Sequence, residues 1–206
     1  MSANIKYKAS VFSSLFSDPD VLRELYCAIE GVNLPPDIPI TINTLENVLY
    51  MGRINDISFE IGGKLVLLVE HQSTIGANMA LRLLLYMSRL FEKMFRKKSL
   101  YSGKQIKIPR PEFYVLYNGT APCPDQEIIK LSDTFEKVEL LGLPEKEIPS
   151  LELSVRVINI NEGRNMEIAS RCRKLAEYSA FIAKVRSYKN ELGSLEEAMT
   201  PRHRRR

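Results

Sequence analysis

Asp56-Ile57-Ser58-Phe59-Glu60-Ile61-Gly62-Gly63-Lys64-Leu65-Val66-Leu67-Leu68-Val69-Glu70-His71-Gln72 is the stretch whose pattern decides the fold class. Its first six residues alternate. Asp56, Ser58 and Glu60 share one face and Ile57, Phe59 and Ile61 the other, which is the period of a β-strand. Gly62-Gly63 is a strong hairpin signal. The returning arm, Lys64–Gln72, is apolar from Leu65 to Val69 without a break, so both of its faces are dry, as in a central strand covered by helices.

Working outward, Thr44–Met51 reads as a strand ahead of the hairpin. Earlier still, Ser17-Asp18-Pro19-Asp20 has the composition of a helix start: a capping Ser, acids for the first turn and a Pro whose φ is already helical. Val21, Leu22, Leu25, Cys27, Ala28 and Ile29 recur at helical spacing, and Gly31 ends the helix. Val11, Phe12, Leu15 and Phe16 predict a shorter helix before it, and Pro35, Pro36 and Pro39 mark a loop.

Downstream, Asn78 is placed to cap a long helix reaching about Lys98. Glu112–Tyr117 is a further apolar strand closed by the turn pair Asn118-Gly119. Residues 120–149 are rich in Pro and charge and read as a long excursion with a short helix. Leu151–Ile160 is another strand, and Glu162–Leu192 a final charged helical stretch. The order predicts a mixed α/β sandwich with helices on the faces of a central sheet.

The chain has 206 residues, 45% apolar and 26% charged, which suits one globular domain with a real core. No apolar run is long enough to cross a bilayer and no signal peptide is visible, so the expectation is a cytoplasmic protein without a membrane partner. Cys27, Cys123 and Cys172 are widely spaced and odd in number, which predicts idle thiols in a reducing compartment. Net charge is +4, yet Arg202, Arg204, Arg205 and Arg206 crowd the last five positions. Without them 25 basic residues balance 25 acidic ones, so the basic excess belongs to the tail.

The chemistry centres on the two ends of the hairpin arms. Counting back from Gly62-Gly63, antiparallel pairing brings Asp56 opposite residues 69–70, so the carboxylates of Asp56 and Glu70 are expected side by side on one rim. Two acids so close repel unless a divalent cation lies between them, and oxygen ligands suit Mg²⁺ or Mn²⁺. Gln72 follows Glu70 by two residues and shares its face, where it would orient a water or a phosphate oxygen. The plainer alternative has Asp56 capping a turn while Glu70 and Gln72 end a strand at a wet edge. Arg82 and Tyr86, four apart on the following helix, share a face and suit phosphate contact or support of the ligands; a solvated Arg and a core Tyr is the competing account. For His71, a structural role behind the sheet outweighs that of a general base. Glu24, Glu30, Glu46 and Glu60 are lesser candidates for an extra ligand.

The segments Asn55-Asp56-Ile57-Ser58-Phe59, Leu67-Leu68-Val69-Glu70-His71-Gln72-Ser73-Thr74 and Asn78-Met79-Ala80-Leu81-Arg82-Leu83-Leu84-Leu85-Tyr86 together resemble the Rpn family of recombination-promoting nucleases. Proteins of this family are also labelled transposases and belong to the PD-(D/E)XK nuclease superfamily. Val155–Asn161 and Glu177-Tyr178-Ser179 look similar too, and the resemblance spans roughly residues 7–199. It implies a restriction-endonuclease-like three-layer core over residues 1–161, then the start of a C-terminal helical region over 162–199 and a basic tail over 200–206. Asp56 and Glu70 would be metal ligands with the backbone carbonyl of His71, and Gln72 would stand where the superfamily has Lys. Gln carries no charge, so stabilisation of the developing charge would fall on the metal and on nearby Arg.

The implied function is metal-dependent DNA endonuclease activity with little sequence preference, linked to recombination or mobile elements, with DNA as partner and a homodimer plausible because two strands need two centres. The alternative is a nuclease-like protein that no longer cuts and serves as a nucleic-acid-binding or interaction module. The missing further helices favour that alternative, the intact Asp56, Glu70 and Gln72 set opposes it, and the chain departs from the family pattern at two places. Lys8-Ala9-Ser10 stands where the family tends to have an acid, and Pro201 with the Arg-rich end replaces an expected further helix.

Overall fold

Six strands form one mixed sheet in the computed structural model of the chain, in the order β1-β2-β3-β4-β6-β5. The described residues are 11–43, 56–71, 76–96, 100–101, 103–136 and 148–199, without the side chains of Asp56, 68–71 and 193–199. The strands are β1 Ile40–Asn43, β2 Asp56–Ile61, β3 Lys64–His71, β4 Arg110–Tyr117, β5 Gln126–Lys130 and β6 Ser154–Asn159. The helices are α1 (residues 11–15), α2 Pro19–Glu30, α3 Met79–Phe95, α4 Met166–Arg171 and α5 Arg173–Met199, with a 3₁₀ turn at Leu131–Thr134.

The hairpin forms where the sequence predicts it. Gly62 and Gly63 both have positive φ, 54° and 79°, the mirror-image turn geometry that matches strand twist. It sets β2 antiparallel to β3, while β1 runs antiparallel along the outer side of β2. β3 then pairs parallel to β4, which the connection through α3 allows, and β4 pairs parallel to β6.

Helices cover both faces. On one, Ile57, Phe59 and Ile61 of β2, Val66 of β3, Tyr114 and Leu116 of β4 and Ile158 of β6 meet α1, α2, α4 and α5. On the other, Leu65, Leu67, Val115, Tyr117, Val155 and Val157 meet Met79, Leu83, Tyr86, Met87 and Leu90 of α3. Each side chain withdrawn from water in this way contributes about 1.5–3 kcal/mol. Helices from 162 onward are part of the first layer, with Ile168, Leu175, Tyr178 and Ile182 in the same core as α2.

Helix α2 begins as its sequence predicts, with one change of cap. Asp18, not Ser17, closes its N-terminus by accepting from the Asp20 N–H at 2.9 Å, because its carboxylate reaches the free amide while Ser17 Oγ donates back to Ser14. Gly31, in the left-handed region at φ 69°, stops it. Asn78 precedes α3 but makes no side-chain cap, and that helix ends at Phe95.

Other boundaries moved. The strand expected over Thr44–Met51 lies outside the described residues, and the described first strand is Ile40–Asn43. Within the 120–149 excursion an edge strand, β5, pairs with β6 and is followed by a 3₁₀ turn; the rest of the stretch, 137–147, lies outside the described residues. The final helical stretch divides at Cys172, whose backbone is extended (φ −132°, ψ 96°) while its side chain is wholly buried. Cys27, Cys123 and Cys172 are free thiols, as expected.

Candidate functional site

Asp56 is the register partner of Val69, so the arms of the hairpin bring the start of β2 beside the end of β3, as counting from the glycines predicts. Glu70 lies one step past that pair and is itself in register with Leu116 of the parallel strand β4; His71 is in register with Tyr117. The end of the sheet that carries Glu70 and His71 is thus the carboxyl end of the parallel strands β3, β4 and β6, the place where open α/β sheets receive ligands. The side chains of Asp56, Glu70 and His71, and all of Gln72, lie outside the described residues.

Four asparagines gather just past these strand ends. Asn159 donates to the Cys123 carbonyl at 3.0 Å and accepts from Asn161 at 2.9 Å. Asn161 also donates to the Gly119 carbonyl at 3.0 Å and accepts from Arg186 Nη1 at 2.7 Å. Asn165 donates to the carbonyls of Asp125 and Asn159 and accepts from Gln126. Arg186, from α5, donates through Nη2 to the Asn118 carbonyl.

The fourth, Asn118, differs. It is 1% exposed, and among the described residues neither its Nδ2 nor its Oδ1 has a hydrogen-bond partner. A buried polar group left unpaired costs about 1–3 kcal/mol, so one side-chain amide out of four stands out against its neighbours. The loop itself is fixed: the Ile160 N–H donates to the Tyr117 carbonyl at 2.8 Å, and Tyr117 Oη donates to the Ala121 carbonyl at 2.7 Å. Asn161 also lines a cavity of about 390 Å³ with Ile160, Met166, Ile168, Leu175 and Ser179.

The opposite end of the sheet holds a closed ionic network. Lys64 Nζ lies 2.8 Å from Glu112 Oε1 and donates to Tyr26 Oη at 2.6 Å, and Tyr26 donates to Glu112 Oε2 at 2.8 Å. Tyr114 donates to Glu30 at 2.9 Å, and Arg156 pairs with the same carboxylate. Burial pushes the Glu112 carboxyl up, but hydrogen bonds from Lys64 and Tyr26 outweigh it and hold it below the usual range. Hydrogen bonds to Glu112 and Tyr26 raise Lys64, while burial pushes the Tyr26 phenol up to about 12. These groups satisfy one another and form the seam between α2 and the sheet.

Of the remaining sequence candidates, Tyr86 is buried in the core beneath α3 and Arg82 is half-buried on the same helix. Glu30 is taken by Arg156 and Tyr114, and Glu24 accepts from the Arg173 N–H at 2.7 Å. Glu60 is half-buried, and Glu46 lies outside the described residues. Among the described residues no three His, Cys, Asp or Glu side chains gather as a metal site, and no helix is long and apolar enough to cross a membrane. The asparagine cluster and Arg186 were passed over in sequence. Asn118-Gly119 reads as a turn pair, and only the recurrence of Asn at successive strand ends hints at more.

No family model, curated protein or solved structure matches the chain.

Proposed function

We propose that the chain is a Mg²⁺-dependent DNA endonuclease of low sequence preference, tied to recombination or mobile elements. In this reading the α/β sandwich is a restriction-endonuclease-like core, and Asp56, Glu70 and the His71 carbonyl hold the cation. The supporting observation is the β2–β3 register, which sets Asp56 across from Val69 and next to Glu70 at the carboxyl end of parallel strands. A bound Mg²⁺ or Mn²⁺ would supply a Lewis acid that activates water and offsets charge on the phosphate. Gln72 orients the attacking water. Water adds to phosphorus, one P–O bond to the sugar breaks, and the leaving oxygen takes up a proton. A homodimer would bring two such centres to the two strands.

A second reading, a nuclease-like module that binds without cutting, draws on the same register. Asp56 and Glu70 fall in successive rows, and an unbroken pleat assigns successive rows to opposite faces. Shared ligation therefore requires a bulge at the start of β2 or the end of β3, a device common beside active sites. Supercoiled plasmid incubated with Mg²⁺ or Mn²⁺ decides between the two. Nicking by the wild type, abolished by chelator and by both Asp56→Ala and Glu70→Ala, supports the enzyme. DNA retention without nicking supports the module, and equal nicking by all three proteins removes Asp56 and Glu70 from the chemistry.

A further inference from the structure

At the carboxyl end of β4 the protein pins a piece of backbone firmly and leaves its side chain unused. The Asn118 carbonyl is held by Arg186 Nη2, Arg186 is held by Asn161, and Asn161 in turn binds the next carbonyl, that of Gly119. Asn159, Asn161 and Asn165 each use both ends of their amides within the fold. Among the described residues Asn118 uses neither, at 1% exposure. A fold that satisfies three neighbouring amides and abandons the fourth has kept that fourth one for something outside itself, since an apolar side chain of the same size would serve packing better.

Position narrows the role. The parallel register ends at His71↔Tyr117, and Asn118 is the first residue after β4. It therefore sits one step beyond the row that carries the proposed His71 ligand, at the end of the neighbouring strand. A primary amide is neutral, donates through Nδ2 and accepts through Oδ1, so it can hold a phosphoryl oxygen without competing for a cation. The guanidinium on its own carbonyl adds positive potential.

We infer that Asn118 is a ligand-contact residue: its Nδ2 donates to a non-bridging oxygen of a phosphodiester bound at the carboxyl end of β3 and β4, with Arg186 and Asn161 as positioning residues. This inference rests on the nuclease reading for the identity of the ligand, though not for the unpaired amide itself.

The test compares the full chain with Asn118→Leu, close in size and apolar, and Asn118→Asp, the same shape without the donor. Thermal midpoint is read beside affinity for a short fluorescent DNA duplex in Ca²⁺, and nicking is read in Mg²⁺. The expected result is a midpoint for Asn118→Leu equal to or above wild type, with duplex affinity lower by about 10-fold to 100-fold, the span of one charge-assisted hydrogen bond. Asn118→Asp weakens binding at least as much. A lowered midpoint with wild-type affinity in the folded protein overturns the inference, since the amide then serves the fold through buried water. If Glu70→Ala stops nicking while Asn118→Leu binds and nicks normally, the inference fails and the nuclease reading stands. Duplex binding that depends on Asn118 in a wild type that never nicks reverses that outcome. A wild type that does not bind the duplex overturns both.

Discussion

Lys64 Nζ and Glu112 Oε1 stand 2.8 Å apart across the parallel β3–β4 pair, and Tyr26 of α2 closes the triangle with a hydrogen bond to each. The three groups tie a helix to the first residues of two strands. Because Glu112 is held below its ordinary value of 4.5, its contribution to stability is present above that pH and is lost as pH falls through the lower folded value. Tyr26 and Lys64 are raised, so theirs is complete below the ordinary values of 10.0 and 10.5 and fades as pH climbs through each raised value, about 12 for Tyr26. Urea midpoints measured from pH 3 to pH 11 are expected to form a plateau that falls at both ends. In Glu112→Gln the plateau drops by about 1 kcal/mol and the acid-side fall becomes shallower. An acid limb as steep as that of wild type would exclude Glu112 as its source.

Gly119 is required by its neighbour two residues back. A Cβ at this position would lie 2.4 Å from Tyr117 Oη, and the Tyr117 ring is buried and hydrogen-bonded to Ala121. Gly119→Ala is expected to destabilise by roughly 1–3 kcal/mol, the usual cost of overpacking. Adding Tyr117→Phe changes little, because the ring carbons are also within 2.6 Å of that Cβ. Chemical denaturation of the single and double variants checks both statements.

Two buried polar side chains have opposite expected responses. Ser58 Oγ, on a residue 1% exposed, has no hydrogen-bond partner among the described residues, so Ser58→Ala leaves stability unchanged or raises it. Asn161 serves Gly119, Asn159 and Arg186 at once, and Asn161→Ala removes these three side-chain hydrogen bonds, while Asn159 Oδ1 keeps the residue-161 N–H and Arg186 keeps the Asn118 carbonyl. Its expected cost is about 1–3 kcal/mol, with a larger drop if Arg186 loses its place as well. Paired denaturation curves at one pH are enough; a costly Ser58→Ala would reveal an interaction for its hydroxyl.

Phe59 calibrates the core. It is fully buried on β2 with its ring edge-on to Tyr26 at 6.4 Å, so Phe59→Ala is expected to cost about 3–5 kcal/mol. Leu85, 53% exposed on α3, changes stability by at most about 0.5 kcal/mol when replaced by Ala. A comparable loss at Leu85 would show that this face of α3 is covered in solution.

What was legible in the sequence follows from how local its causes are. The period-two pattern and Gly62-Gly63 fixed β2, β3 and their register, because a two-residue turn leaves one pairing. Asp18, Pro19 and Gly31 mark α2 within a residue for the same reason. Strand β5 stayed hidden because Gln126-Glu127-Ile128-Ile129-Lys130 lacks a period-two apolar pattern and lies at a sheet edge, and its partner β6 lies 24 residues further along at its nearest. The cut at Cys172 was equally obscure, since it follows from how α4 packs on α2 and α5 and not from a Pro or Gly. At the candidate site, Asp56 and Glu70 were singled out as carboxylates at strand ends, and their side chains lie outside the described residues. Asn118 was not, because an amide without a partner is a property of its surroundings in three dimensions.

The strand order β4-β6-β5 also constrains how the chain reaches this state. Among the described strands β5 has a single neighbour, β6, which is made later and must first settle against β4. No ladder can therefore capture β5 when it emerges, whereas the β2–β3 hairpin closes over two residues. Refolding should thus proceed from the hairpin side toward the β5 edge, with amide protons of β5 the last to gain protection in a pulse-labelling experiment.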